Sequence, residues 1–173
     1  MPAYVLLTEA KRSDVKLAGS FTLNAGSIVA MDRGYNDYAL FGRRTAAGVF
    51  FVTRIKDDAV FEVVEERVPP RNSQIISDQT IRLTSAKAQL DYPCLLRRVL
   101  DRDADQERAI DLLTNLLEFG ATTIAAIYKD RWQIELFFKA LKQNLTVKSY
   151  VGTSESALCI QIWAALIALL LLK

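Results

Sequence analysis

Histidine is absent from the 173 residues. That absence removes Ser-His and Cys-His nucleophile pairs, histidine general bases and every histidine-containing zinc site. Cysteine is almost as scarce. Cys94 and Cys159 stand far apart and in no CxxC pair, so each reads as a small buried apolar residue in a reducing compartment. Glycine (7) and proline (4) are sparse while apolar residues make up 51%, which predicts a folded chain with one real core rather than a disordered one. GxGxxG and GxxxxGK[ST] loops are missing, leaving nucleotide-binding enzymes of those types unsupported. A net charge of +2 gives no overall basic field, so any DNA-binding surface has to be local. Catalysis, if present, must draw on carboxylates, lysine, tyrosine or serine.

A long uncharged run spans Ala157 to Leu172, interrupted by Gln161. It falls short of the about 20 apolar residues that a membrane span requires and reads as a helix needing cover on most sides, so no membrane partner is expected. Met1 leads straight into Tyr4-Val5-Leu6-Leu7 with no basic region before it, which argues against a secretory signal.

Along the chain, Tyr4–Thr8 reads as a buried strand and Ser13-Asp14 as a helix cap. Ser27-Ile28-Val29-Ala30-Met31 is an apolar strand entered through Gly26 and closed by Asp32-Arg33-Gly34. A helix follows, capped by Asn36 or Asp37, with Tyr38, Leu40 and Phe41 inward. It ends near Gly48, before a strand over Val49–Arg54. Strand, helix, strand with short links predicts an α/β sheet. Residues 57 to about 112 differ. Short strands at Val60–Glu65, Ile75–Ser77, Thr80–Leu83 and Leu95–Leu100, separated by Pro, Asn, Asp and Ser turns, predict a β-rich insertion paired mostly with itself. Ala109–Thr114 is ambiguous between strand and helix. From Thr122 or Thr123 to about Leu145 the period is helical.

Tyr128, Arg131, Glu135 and Lys142 lie on that late helix. At about 100° per residue they fall at roughly 0°, 300°, 340° and 320°, a stripe about 60° wide. Ile127, Ile134, Phe138, Leu141 and Leu145 occupy roughly 220° to 280°, a core-facing stripe. The polar quartet therefore borders the core, where a cleft would lie, and a carboxylate flanked by two cations and a phenol suggests metal and phosphate chemistry. Glu135 alone reads first as an ordinary ion pair with Lys139 one turn on, on a solvated helix face. Asp32, at the carboxyl end of an apolar strand, stands where open α/β sheets bind ligands, although a turn aspartate is an ordinary strand closure. Arg43-Arg44 and Arg54-Ile55-Lys56 could extend a DNA-binding surface.

Asp32-Arg33-Gly34-Tyr35 after a hydrophobic strand, then Tyr128-x2-Arg131-x3-Glu135-x6-Lys142 on a late helix, resembles the DDE transposases of bacterial insertion sequences, of the insertion-sequence-4 type. The second element matches their YREK motif without a gap, and the resemblance covers nearly the whole chain. It implies a ribonuclease-H-like mixed sheet flanked by helices and interrupted by the β-rich insertion, with residues 1–173 forming a partial catalytic domain. It also implies acidic residues holding two Mg²⁺ or Mn²⁺ ions for phosphoryl transfer on double-stranded DNA, both transposon ends and target, in the bacterial cytoplasm, by an enzyme that is a homodimer at full length. Asp32 would be the second acid and Glu135 the third, both catalytic metal ligands. Tyr128, Arg131 and Lys142 would hold DNA phosphates, and Arg131 could also brace Glu135.

One departure accompanies the match. The family's first Asp lies on the first strand of the sheet, and no equivalent is visible: Glu9 ends the wrong strand and Asp14 reads as a cap. The missing strand and its Asp are expected ahead of Met1, and the C-terminus stops where a full-length member would continue. The chain is accordingly expected to be a truncated, inactive fragment. The alternative is a non-catalytic DNA-binding or interaction module derived from a transposase.

Overall fold

The computed structural model describes residues 18–19, 21–103, 108–132, 136, 139, 156, 160 and 163–164. The chain divides into two units, residues 13–131 and residues 1–12 with 132–173. In the latter, the described residues Trp132, Leu136, Lys139, Ser156, Ile160, Trp163 and Ala164 have helical backbone. The strand expected at Tyr4–Thr8, the cap at Ser13-Asp14 and most of the apolar run 157–172 lie outside the described residues.

Six strands build one mixed sheet in the larger unit: β1 (Ile28–Ala30), β2 (Phe50–Arg54), β3 (Phe61–Arg67), β4 (Ile75–Leu83), β5 (Leu96–Asp103) and β6 (Arg108–Thr114). Their spatial order is β1-β2-β6-β5-β4-β3. β1 and β2 run parallel, with Val29 opposite Phe51. All other pairs are antiparallel, and β6 joins the β3–β6 meander to β2 through Thr53 opposite Leu113. Parallel neighbours need a crossover, which here contains α1 (Tyr38–Ala46). Asp37 starts α1 by accepting the Leu40 N–H at 2.8 Å. Gly48, at φ 71°, turns the chain back toward β2, a conformation that costs glycine nothing.

The alternation of side chains across strands sends Phe51 and Leu113 to one face and Val52 and Leu112 to the other. On the first face, Phe51 stacks on Phe41 of α1 at 4.2 Å and packs with Ile81, Leu83, Tyr92 and Leu96. The short helix α2 (Ala86–Asp91) completes this layer, and a Cβ on Gly42 would meet the Asp91 carbonyl oxygen at 2.5 Å. On the second face, α3 (Ala121–Asp130) lays Ala121, Ile124, Ala125 and Tyr128 against Val52, Val99 and Leu112. This mixed six-stranded sheet with helices is the α/β arrangement expected of a ribonuclease-H-like transposase domain.

Several local expectations need correction. The two strands read at Ile75–Ser77 and Thr80–Leu83 are one strand, β4, because Asp78 is buried against Arg97 of β5 at 2.7 Å and so does not form a turn. Residues 86–91, read as part of a strand-and-turn region, form α2, whose cap is Ser85 accepting the Ala88 N–H. Cys94 is exposed rather than buried, since it follows Pro93 in the link between α2 and β5. Arg44 does not extend a free cationic surface: its guanidinium donates to the carbonyls of Phe21 at 2.7 Å and Ala18 at 2.5 Å, bracing the segment before β1. Cys159 lies outside the described residues. Among the described residues, no helix is long and apolar enough to cross a membrane.

Candidate active site

The carboxyl ends of the parallel strands β1 and β2 share one edge of the sheet, and the C-terminal end of α3 lies close to that edge. Asp32 follows β1 by two residues and begins a 3-10 turn over Arg33–Tyr35. Its Oδ1 accepts the Gly34 N–H at 3.0 Å. Its Oδ2 faces Arg131 Nη1 at 3.8 Å, with the Asp32 side chain 54% and the Arg131 side chain 14% exposed. That separation is longer than a hydrogen bond, so Oδ2 is balanced by a positive charge while staying open to a ligand. Arg131 caps the C-terminus of α3, where the helix dipole favours a cation. Its guanidinium lies 5.2 Å from the centre of the Tyr128 ring.

Tyr128 is buried. Burial raises its pKa above 10.0, the Arg131 and Arg54 charges oppose that rise and the Asp32 charge adds to it. The phenol therefore stays a neutral donor through the physiological range. Tyr38 and Tyr92 are raised as well, again chiefly by burial. For all three, the folded pKa exceeds the unfolded value near 10. Their contribution to stability is therefore complete below about pH 10 and is lost as pH climbs through the folded values. A phenolate absorbance titration of the folded chain is expected to show these groups ionising above pH 10.0, with melting temperature falling over the same range. Ionisation at or below the unfolded value would contradict this.

Of the residues singled out from the sequence, Asp32, Tyr128 and Arg131 are thus brought together. Glu135 and Lys142 lie outside the described residues. Among the described residues no group of three potential metal ligands occurs. The donor set at Asp32 still suits a hard divalent cation in part: a half-exposed carboxylate at the carboxyl edge of parallel strands, beside the Arg131 guanidinium. Mg²⁺ is commonly held by one or two carboxylates together with water and substrate phosphate.

Sequence reasoning overlooked Asn36 and Thr53. Both are buried, and they tie the Asp32 turn to β2. Asn36 Nδ2 donates to the Arg54 carbonyl at 2.6 Å, and Thr53 Oγ1 donates to Asn36 Oδ1 at 2.9 Å. The available signal was the Asn36-Asp37 pair. Only one of the two can cap α1, and Asp37 does so, leaving Asn36 for another task.

Comparison with known proteins adds the family context. The family model described as "Transposase DDE domain" matches residues 1–171. A protein of Sinorhizobium fredii named as a transposase is 36% identical over 176 residues, covering 99% of this chain and 49% of the relative. A Geobacillus stearothermophilus protein named as a transposase for an insertion sequence element is 34% identical over 184 residues, covering 100% of this chain and 45% of the relative. A Synechocystis protein, also named as an insertion-sequence transposase, is 50% identical over 50 residues, 29% of this chain and 15% of the relative. The chain spans about half the length of the first two relatives.

Proposed function

This chain belongs to the DDE transposase family, and from that premise we propose that it is part of the catalytic domain of an enzyme that cuts transposon DNA ends and joins them to target DNA. The observation that carries this reading is the meeting of Asp32 with Arg131 and Tyr128 at the carboxyl edge of β1 and β2. An acid for metal and two donors for phosphate share one place there. We assign Asp32 and Glu135, four residues beyond Arg131 in the sequence, as catalytic metal ligands. Two bound Mg²⁺ or Mn²⁺ ions would supply activation of the attacking water or 3′-hydroxyl and stabilisation of the leaving oxygen.

The chain's own residues do the rest. Arg131 and Lys142 give charge-assisted hydrogen bonds to DNA phosphates, and Tyr128 gives a neutral one. These contacts position the strand without reading its sequence. We place the reaction in the bacterial cytoplasm, with double-stranded DNA as substrate and a homodimer as the full-length assembly. We read residues 1–173 as one partial domain, with about 57–112 as its β-rich insertion. We propose that the 173-residue chain is inactive alone, because its sequence shows no evident match to the family's first Asp.

Mn²⁺ titration of the chain, followed by NMR line broadening, tests the assignment. Amide signals of residues 31–36 are expected to broaden selectively, with Asp32→Asn weakening the apparent affinity by about ten-fold or more. Equal broadening in wild type and Asp32→Asn would refute Asp32 as a ligand. A non-catalytic DNA-binding role remains the second reading. The pairing of Arg131 and Tyr128 beside Asp32 favours it only if DNA binds equally well with and without divalent ions.

A further inference from the structure

We infer that Asn36, acting with Thr53, is a positioning residue that sets where the Asp32 carboxylate stands. This role deepens the proposed function and rests on reading Asp32 as a metal ligand. Asp32 itself is half-exposed on a turn, and a half-exposed carboxylate is normally free to sample several rotamers and a range of backbone positions. Here the turn beneath it is fastened at successive points. The Met31 N–H donates to the Val52 carbonyl at 2.9 Å before the turn, the Tyr35 N–H to the Asp32 carbonyl at 3.0 Å, and the Asn36 N–H to the Arg33 carbonyl at 3.1 Å.

Those backbone bonds close the turn on itself but do not fix it to β2 beyond Met31. The Asn36 side chain does. Its amide N–H reaches the Arg54 carbonyl at 2.6 Å, and its amide oxygen takes the Thr53 hydroxyl at 2.9 Å. The same hydroxyl lies 3.4 Å from the Asp32 carbonyl oxygen. Asn36 is 6% and Thr53 0% exposed, so water does not compete for these bonds, and their loss would strand buried polar groups.

The chemistry at position 36 is selective. One atom must donate to a carbonyl while its twin accepts from a hydroxyl, which an amide does and a carboxylate does not. The substitution Asn36→Asp would set a second acceptor against the Arg54 carbonyl. The brace thus links both strand ends at the site, because Arg54 at the end of β2 also bears on the Tyr128 phenol. Supporting groups that orient a metal ligand commonly govern metal affinity without touching the metal.

The test uses the 173-residue chain as wild type, Thr53→Val, Thr53→Ser and Asn36→Asp. It combines amide hydrogen exchange with the Mn²⁺ broadening described above. In Thr53→Val and Asn36→Asp, the Gly34, Tyr35 and Asn36 amides are expected to exchange about ten-fold faster, with the β5–β6 ladder unchanged. Asp32-dependent Mn²⁺ affinity should fall by about ten-fold. Thr53→Ser, which keeps the hydroxyl, should restore both to wild-type values. The inference is overturned if Thr53→Val leaves turn exchange and Mn²⁺ affinity unchanged, or if turn and ladder accelerate together, which marks an ordinary fold contact. Turn loosening in the variants, with no Asp32-dependent Mn²⁺ effect in the wild-type chain, overturns the metal reading and, with it, the positioning role. Unchanged turn exchange beside intact Mn²⁺ binding overturns the brace alone.

Discussion

Replacing Arg97 with methionine is expected to destabilise the chain by about 3–5 kcal/mol, the usual cost of breaking a buried ion pair from one side. Asp78 and Arg97 face each other across β4 and β5 with side chains only 4% exposed each. Arg97 Nε and Nη2 make paired bonds of 2.8 and 2.7 Å to the two carboxylate oxygens. The remaining nitrogen, Nη1, donates to the carbonyls of Leu117 and Phe119. Methionine fills much of the volume but leaves the Asp78 carboxylate buried with no cation bonded to it. It also takes a donor from the segment that leads from β6 into α3. Leu117 keeps a bond from Arg67 at 2.8 Å, so that segment loosens rather than detaches.

A double variant, Asp78→Leu with Arg97→Met, should recover most of the loss, since apolar replacement of an entire buried pair is often neutral. About 1 kcal/mol should stay lost for the unreplaced bonds to the segment. Denaturant unfolding of the three proteins checks this. A single variant within about 1 kcal/mol of wild type would show that Asp78 finds other compensation. The effect reaches the site, because α3 begins at Ala121 immediately after this segment and carries Tyr128 at its other end.

The same pair explains where the sequence could be read and where it could not. Apolar runs at Ile28–Ala30 and Phe50–Arg54, with a capped helix between them, follow local patterns, and the parallel pair emerged where those patterns placed it. Asp78-Gln79 looks like a turn because the compensation for a buried aspartate comes from Arg97, 19 residues away, and no local rule reports such a partner. The helix α2, at six residues, is too short to show a helical period. The meeting of Asp32, Tyr128 and Arg131 could be anticipated because each is a distinctive residue type at a fixed spacing. Asn36 was not, because a side chain whose role is to fix a neighbouring turn through two hydrogen bonds to another strand leaves no periodic trace.

The chemistry carries the second large effect. Purified 173-residue chain, given Mg²⁺ or Mn²⁺ and transposon-end DNA, is expected to yield no cleaved strand. Each ion of a two-metal centre asks for several oxygen ligands, and the centre must hold both ions against the repulsion of their charges. On the proposed assignment, Asp32 and Glu135 would be two carboxylates for that task, and Arg131 at 3.8 Å already offsets the charge of Asp32. The Sinorhizobium fredii relative is about twice as long as the aligned region, so a chimera in which the rest of that relative flanks this chain gives a second test of the proposed assignment. Cleavage is expected in the chimera. Asp32→Asn or Glu135→Gln within it should lower the rate by about a thousand-fold or more, as removal of central catalytic groups does. If Arg131 and Lys142 hold phosphate as proposed, Arg131→Ala and Lys142→Ala should chiefly raise the DNA concentration needed. Metal-dependent nicking by the 173-residue chain alone, abolished by Asp32→Ala, would instead mean that a third acid from within these residues completes the centre.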